Sequence, residues 1–391
     1  MMDKSKTCYC LKTQGNLLLQ KARGLLKSHI ASISFLPLLV LPFAAQSQFN
    51  YITNDGAIAI TRYTGPGGAV VIPSMINGRP VTSINAAFYN SINLTSVTIP
   101  DSVTNIGEYA FYNCFNLTNF DISSSLTSIA ISALFFCKSI GAITVDPFNP
   151  VYSSIEGVLF DKKQTQLISC PETKSGNYVV PDSITNIGSY AFLNCTHLTS
   201  IKMPDTVTEI RTHAFYFCTQ MTNIIISKRV ATIPDYAFYN CFNLASVVIP
   251  ETVTNIGDSA FYGSGSPGVY FKGKPPSASE LFVFTSQTIY YLPGSPGWSN
   301  TFAGRPTAIW QPQMKTLGAQ KIPPAFNRFA FNIDWVAGQT VTVEYCTNFS
   351  NPFWQPLQTL TLSSDSTTYG LYYGDSQWTN YPIRFYRLRS P

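Results

Sequence analysis

Residues 94–114 read Leu94-Thr-Ser-Val97-Thr-Ile99-Pro100-Asp-Ser-Val103-Thr-Asn-Ile106-Gly107-Glu-Tyr-Ala110-Phe111-Tyr-Asn-Cys114, and the architecture follows from them. The pattern returns from Leu198 to Cys218, with Met203 in the slot of Ile99 and Arg211 in that of Gly107. Ala110 to Leu117 recurs letter for letter as Ala237 to Leu244. One large apolar slot marks each copy: Phe88, Phe111, Leu134, Phe192, Phe215, Phe238 and Phe261. Copies lie 23 residues apart, except that 58 separate Leu134 from Phe192, one period plus an insertion of 35. A fixed period of this length marks a solenoid: one unit cannot bury its own apolar face, so neighbours must stack.

Each slot has a physical task. Val97 and Ile99 alternate with Ser96 and Thr98, the period of two expected of a short half-buried strand. The outward positions of successive coils are Ser96/Thr98, Asn119/Asp121, Ala142/Thr144, Ser200/Lys202, Asn223/Ile225 and Ser246/Val248, mostly small and polar. Pro100, Pro204 and Pro250 end the strand, because proline cannot donate to a ladder. Gly107, Gly188 and Gly257 then mark a turn before a short helical stretch such as residues 108–112. The expected fold is mainly β with short helices: a right-handed solenoid with a parallel sheet on one side. Phe88, Phe111, Phe192, Phe215, Phe238 and Phe261 form its interior ladder.

The rest of the chain arranges itself around these repeats. Residues 48–72 form a lead-in that caps the first coil, and the repeats span 73–262. The insertion at 146–179 reads as a strand-rich coil bulging from the solenoid. The degenerate segment 263–310 is the atypical terminal unit expected of a repeat array. Residues 311–324 are a polar, proline-containing linker, and the alternating strands of 325–391 fit a small antiparallel β-sandwich.

The N-terminus is of another kind. Six basic residues and one acid precede the apolar run 30–45, which closes on Ala45-Gln-Ser47. A positive start, a short apolar core and a small-residue exit define a secretory signal peptide over 1–47. Pro37, Pro42 and the short span argue against a membrane anchor, which needs about 20 apolar residues. No later run is long enough to cross a bilayer, so no membrane span is expected in the mature chain. The 391 residues carry 12% charged side chains and a formal net charge of +5. Removing residues 1–47 leaves 25 − 6 = 19 basic against 20 − 1 = 19 acidic residues, so the remainder is formally neutral. A neutral chain argues against nucleic acid as a partner. It favours recognition by hydrogen bonds and ring contacts.

The unit I-P-x-x-V-T-x-I-G-x-x-A-F-x-x-C, with its lead-in Asp55-Gly-Ala-Ile58 and Ile72-Pro73, resembles the BspA-type leucine-rich repeats of bacterial surface proteins over residues 49–310. Coil 134 departs from the pattern by lacking both its Phe and its Gly. The resemblance implies a leucine-rich-repeat solenoid, a secreted or cell-surface location, and adhesion to host matrix proteins or neighbouring cells. The segment ending Phe385-Tyr-Arg-Leu-Arg-Ser-Pro391 is similar to β-rich tails of secreted repeat proteins, and implies no ligand.

Cys114, Cys137, Cys195, Cys218 and Cys241 share one slot, three residues after the Phe position. An exported chain raises the alternatives of a disulfide framework or a metal cluster. Coils stacked about 4.8 Å apart hold equivalent Cβ atoms at a similar distance. A disulfide wants about 3.8 Å, so a row of buried thiols is favoured. A linear row also lacks the tetrahedral convergence of a zinc site. Ser91 and Ser264 in the terminal coils fit ends that are less deeply buried. No metal or cofactor is expected.

Catalysis has little support. His197 and His213 occupy variable slots outside any recognised catalytic constellation, and the carboxylates follow the repeat instead of facing one another in a pair. Binding has the better geometric case. Ser96, Thr98, Asn119, Asp121, Ser200, Lys202 and Asn223 form a candidate ligand surface on the sheet. Beside it, Tyr112, Tyr216 and Tyr239 belong to a tyrosine slot shared with Tyr89 and Tyr262. The expected protein is a non-catalytic recognition or adhesion protein that binds an extracellular protein or polysaccharide. The alternative is a structural or carbohydrate-associated envelope module acting through the C-terminal β domain.

Overall fold

The computed structural model describes residues 47–265, 268–278, 288–316, 329–335, 339–348, 353–362, 371–375 and 384–390. The signal-peptide reading falls on residues outside these, apart from Ser47.

Each repeat makes one coil, and the coils stack through backbone hydrogen bonds on three sides. On the first side, strands such as Leu94–Thr98, Asn119–Ile122, His197–Lys202 and Ser246–Ile249 pair in parallel with the equivalent strand of a neighbouring coil. On the second, two-residue strands do the same: Asn105–Ile106 on Ser128–Ile129, Asn186–Ile187 on Glu209–Ile210, Thr232–Ile233 on Asn255–Ile256. The third side carries the Ala-Phe turn. There the amides of Phe88, Phe192, Phe215 and Phe238 donate to the carbonyls of Ala110, Ala214, Ala237 and Ala260 in the next coil.

That third ladder corrects one expectation. The turns around Ala-Phe contain no helix among the described residues. Two residues per coil, four apart, adopt left-handed backbone: Tyr109 and Asn113, Tyr190 and Asn194, His213 and Phe217, Tyr236 and Asn240. A left-handed residue breaks a right-handed helix, and the amides it frees bond to the adjacent coil instead of four residues back. The glycine slot has a different reason from the one expected of a turn former. Gly107 and Gly257 keep ordinary backbone, but a Cβ there would meet the Oδ1 of Asn85 at 2.1 Å or of Asp235 at 2.2 Å. Close approach of coils, not a special φ, favours glycine at these two positions, while other coils carry Ala130, Arg211 and Pro234 in the slot.

Inside, the phenyl rings stack face to face: Phe88 on Phe111 at 5.0 Å, Phe192 on Phe215 at 5.2 Å, Phe215 on Phe238 and Phe238 on Phe261 at 5.0 Å each. All six rings are fully buried. At the start, the hairpin Phe49–Asn54 with Ala57–Tyr63 lays Tyr63 on Phe88 at 5.1 Å, and Phe49 beside both.

The insertion differs from a bulge. It enters through the antiparallel strands Tyr152–Ile155, Val158–Asp161 and Gln166–Ser169. Gln166–Ser169 then pairs in parallel with Asn186–Ile187, and Ser175–Val179 with His197–Lys202. The inserted chain thus begins the two ladders of the following coils, while those before it end at Ser128–Ile129 and Ala142–Val145. It divides the interior in two. Val158 and Phe160 face the core that follows, while Leu159 between them faces the core that precedes.

The C-terminal segment forms two antiparallel three-stranded sheets, Gln313–Thr316 with Phe329–Asp334 and Leu371–Asp375, and Gln355–Thr361 with Thr340–Cys346 and Phe385–Arg389. The span read as a linker therefore begins with a strand of this domain. Phe331, Ile333, Trp335, Val341 and Val343 are its buried centre. Glu344, itself buried, accepts from Arg387 and Arg389 at 2.7 and 2.6 Å.

Candidate recognition surface

The sheet side presents two outward rows. The first runs Ser96, Asn119, Ala142, Asn177, Ser200, Asn223, Ser246, and stays small and polar. Ser96 and Asn119 are exposed, while Ser200 and Asn223 are half-buried. The Ser200 hydroxyl donates to Asn177 Oδ1 at 2.8 Å, so part of this row satisfies itself along the ladder. The second row changes character along the solenoid. Thr98, Asp121 and Thr144 open it, with the Thr144 hydroxyl donating to Asp121. Val179, Lys202, Ile225, Val248, Tyr270 and Tyr290 continue it.

The apolar end of this second row is not free. Val248, Tyr270 and Tyr290 pack against the C-terminal core together with Leu292 and Trp310, the Trp310 ring lying 4.5 Å from that of Tyr270. The second domain covers the sheet's last coils and leaves Thr98, Asp121 and Lys202 to solvent.

A different surface runs along the Ala-Phe edge. Tyr112 stacks on Tyr89 at 5.0 Å, and Tyr216, Tyr239 and Tyr262 stack in turn at 4.9 and 5.1 Å. A second column lies beside it, with His213 held between Tyr190 at 4.5 Å and Tyr236 at 4.7 Å. The edge contact of Tyr109 on Tyr112 and the tilted one of Tyr236 on Tyr239 knit the columns together. The tyrosine slot was legible in the sequence; the second column was not, because the left-handed turn that brings residues three apart onto one surface is invisible to periodicity. Stacked pairs at this spacing contribute about 0.5–1.5 kcal/mol each beyond burial, so the rings bind coil to coil as well as facing outward. Tyr89, Tyr109, Tyr236 and Tyr262 remain more than a third exposed. Ring faces are spent on neighbours, and what solvent meets is a band of ring edges and hydroxyls.

The two histidines of the described residues differ in their surroundings. Burial lowers the His213 pKa, with Asp235 opposing, and the imidazole serves as another ring in the stack. His197 is exposed, its Nδ1 3.4 Å from the Glu172 carbonyl oxygen.

The cysteine row is a row of free, buried thiols. Four of the five thiols donate to the Phe carbonyl of the preceding coil: Cys114 to Phe88 at 3.2 Å, Cys137 to Phe111 at 3.1 Å, Cys218 to Phe192 and Cys241 to Phe215 at 3.2 Å, while Cys195 reaches the Cys170 and Pro171 carbonyls at 3.7 Å. Burial pushes the Cys114 pKa up to about 12, which removes thiolate chemistry at neutral pH. Ser264 in the last coil makes the same bond to Phe238 and is itself buried. Serine there is an isosteric donor, not the mark of a looser end.

Glu172 is the one carboxyl in the repeat region whose pKa burial raises clearly, to about 7, against the opposing bonds from Asn194 and Phe136 and the charge of Lys138. It stands where the insertion rejoins the coils.

Together these features define a β-solenoid repeat protein with a stacked aromatic edge, a polar sheet face and a second domain docked on its last coils. The BspA type leucine rich repeat model matches in six copies, over residues 73–175 and 169–274. The chain belongs to that family. Among solved structures it is similar to a leucine rich cell surface protein of Faecalibacterium prausnitzii, at 24% identity over 58% of this chain and 89% of that one, with a TM-score of 0.36. It is similar also to a leucine rich repeat protein of T. pallidum, at 28% identity over 56% and 86% with a TM-score of 0.33. A third is the pneumococcal vaccine antigen PcpA, at 16% identity over 68% and 97% with a TM-score of 0.43. No curated protein matches the chain.

Proposed function

We propose that this chain is exported and acts outside the cell as a non-catalytic recognition protein, whose ligand is a protein bound on the aromatic edge and the adjoining polar face. The observation that carries this reading is the exposed band of tyrosine edges and hydroxyls along the Ala-Phe side. Tyrosine combines an apolar body with a polar tip, and such residues are enriched where proteins meet. A sugar ring stacks on an aromatic face, and here most faces are already covered by the next coil. That favours a protein over a polysaccharide. The alternative, a carbohydrate-associated module working through the C-terminal domain, has less support, because that domain spends apolar surface on holding the solenoid.

The test pairs the wild type with Tyr109→Asn/Tyr236→Asn, substitutions that suit the left-handed backbone at both sites. Both proteins are assayed against a panel of purified extracellular matrix proteins and a glycan array. Binding to a matrix protein that falls at least tenfold in the variant supports the reading. Equal binding by both, or a glycan signal lost only when residues 325–391 are deleted, would overturn it.

A further inference from the structure

The phenyl ladder fails at one place. The Phe slot of the coil before the insertion holds Leu134, and in the next it holds Cys170, whose amide donates to the Ala191 carbonyl as the slot's phenylalanines donate to their alanines. Two consecutive coils thus lack a ring in the position that elsewhere fills the interior. The two buried cores meet here and do not merge. The consequence is a cavity of about 240 Å³ between them, lined by Leu134, Ile140, Ile168, Cys170 and Leu193, with Glu172 as its carboxyl. It reaches solvent beside Ile131 and Arg211, both exposed.

A dry apolar cavity of about 150 Å³ is enough to take up benzene. The larger space here admits a fused or substituted ring, and its chemistry is that of a ligand site: mostly apolar walls with a few polar groups, Gln166, Ser169, Ser189 and Arg211 beside the one carboxyl of Glu172. Glu172 accepts from Asn194 Nδ2 and from the backbone of Phe136. An ionised carboxylate offers about four acceptor positions, so two are taken and capacity is left for a donor from a ligand.

We propose that this seam is a small-molecule site for a compact aromatic molecule bearing one N–H or O–H donor, its ring filling the place of the missing phenyl groups and its donor on Glu172. The site borders the second ring column at Tyr190, but its filling slot and its carboxyl lie outside the tyrosine edges that carry the functional reading, so it stands whether or not they bind a protein.

Indole is a suitable probe, with N-methylindole as its partner lacking the donor. Titration of the full secreted chain, followed by calorimetry and methyl-resolved NMR, is expected to show saturable one-to-one binding of indole, with contacts to the Leu134 and Leu193 methyl groups. At pH 8, above the raised pKa of Glu172, N-methylindole should bind about tenfold more weakly, the worth of one hydrogen bond to a charged group. Leu134→Phe, which returns a ring to the slot, should keep the circular dichroism of the parent and lose indole binding. The proposal is overturned if indole does not saturate, if its contacts fall elsewhere, or if folded Leu134→Phe binds it unchanged. Equal affinity for N-methylindole would overturn it as well, since the ligand's donor would then not rest on Glu172. The NMR contacts decide the matter even where Leu134→Phe fails to fold.

Discussion

At the scale of single residues, the repeat distributes its chemistry over a few slots, and each makes a separate demand. Phe111 and Phe238 are wholly buried in the ring ladder. Truncating either to alanine should cost about 3–5 kcal/mol, the usual loss for a core Phe, measured by urea unfolding; a loss below about 1 kcal/mol would deny the slot its interior role. The cysteines act as small donors, so Cys241→Ser should keep its bond to the Phe215 carbonyl, as Ser264 keeps the equivalent bond one coil later. We expect Cys241→Ser to lose about 1 kcal/mol or less, and Cys241→Ala to lose more because the carbonyl forfeits a partner. The order reversed would contradict the hydrogen-bonding account. The slot's position could be read from the sequence. Its bond could not, since donor and acceptor lie 26 residues apart.

At the scale of an element, the insertion is where the regular pattern is interrupted, and Glu172 reports on that interruption. Its pKa is raised from 4.5 to about 7, chiefly by burial. Below pH 4.5 the carboxyl is neutral in folded and unfolded chains alike, and costs nothing. As pH rises from 4.5 towards 7 the unfolded chain releases the proton while the folded chain still holds it, so stability is lost across that window and stays lost above it. Glu172→Gln should therefore unfold like the parent at pH 4 and be more stable at pH 8, by about 1–3 kcal/mol. Equal stabilities at both pH values, followed by denaturant titration, would show that the site is better hydrated than its surroundings imply. The alternating strands of the insertion were legible from composition. That they begin the ladders of the following coils was not, because strand partners are chosen by pairing across distant sequence.

At the scale of the molecule, two cores follow one another inside the solenoid, and a third joins the sheet side of its last coils to the C-terminal sandwich. Tyr270 and Tyr290, stacked at 5.2 Å, form much of that junction. Tyr270→Ser/Tyr290→Ser should uncouple the two parts, so that calorimetry resolves a C-terminal transition separate from that of the coils. A single transition unchanged in temperature would mean that the junction contributes little. Within the sandwich, burial raises the Glu344 pKa, but the bonds from Arg389 and Arg387 outweigh it and hold it low. Its contribution is thus present above the ordinary carboxylate range and lost as pH falls through the lowered value.

The period of 23, the alternation of Val97 and Ile99 and the identity of the buried slots were all decided locally, by which side chains the chain can expose to water and at what spacing. Periodicity carries that information because stacking gives every coil the same environment. Four features required the folded chain: left-handed turns in place of helices, the second ring column, the C-terminal domain covering the apolar end of the sheet, and the cavity where Leu134 meets Cys170. Each depends on contacts between residues far apart in sequence. In the last, two slots that each look like a modest departure from the repeat combine into empty space only when stacking sets one directly over the other.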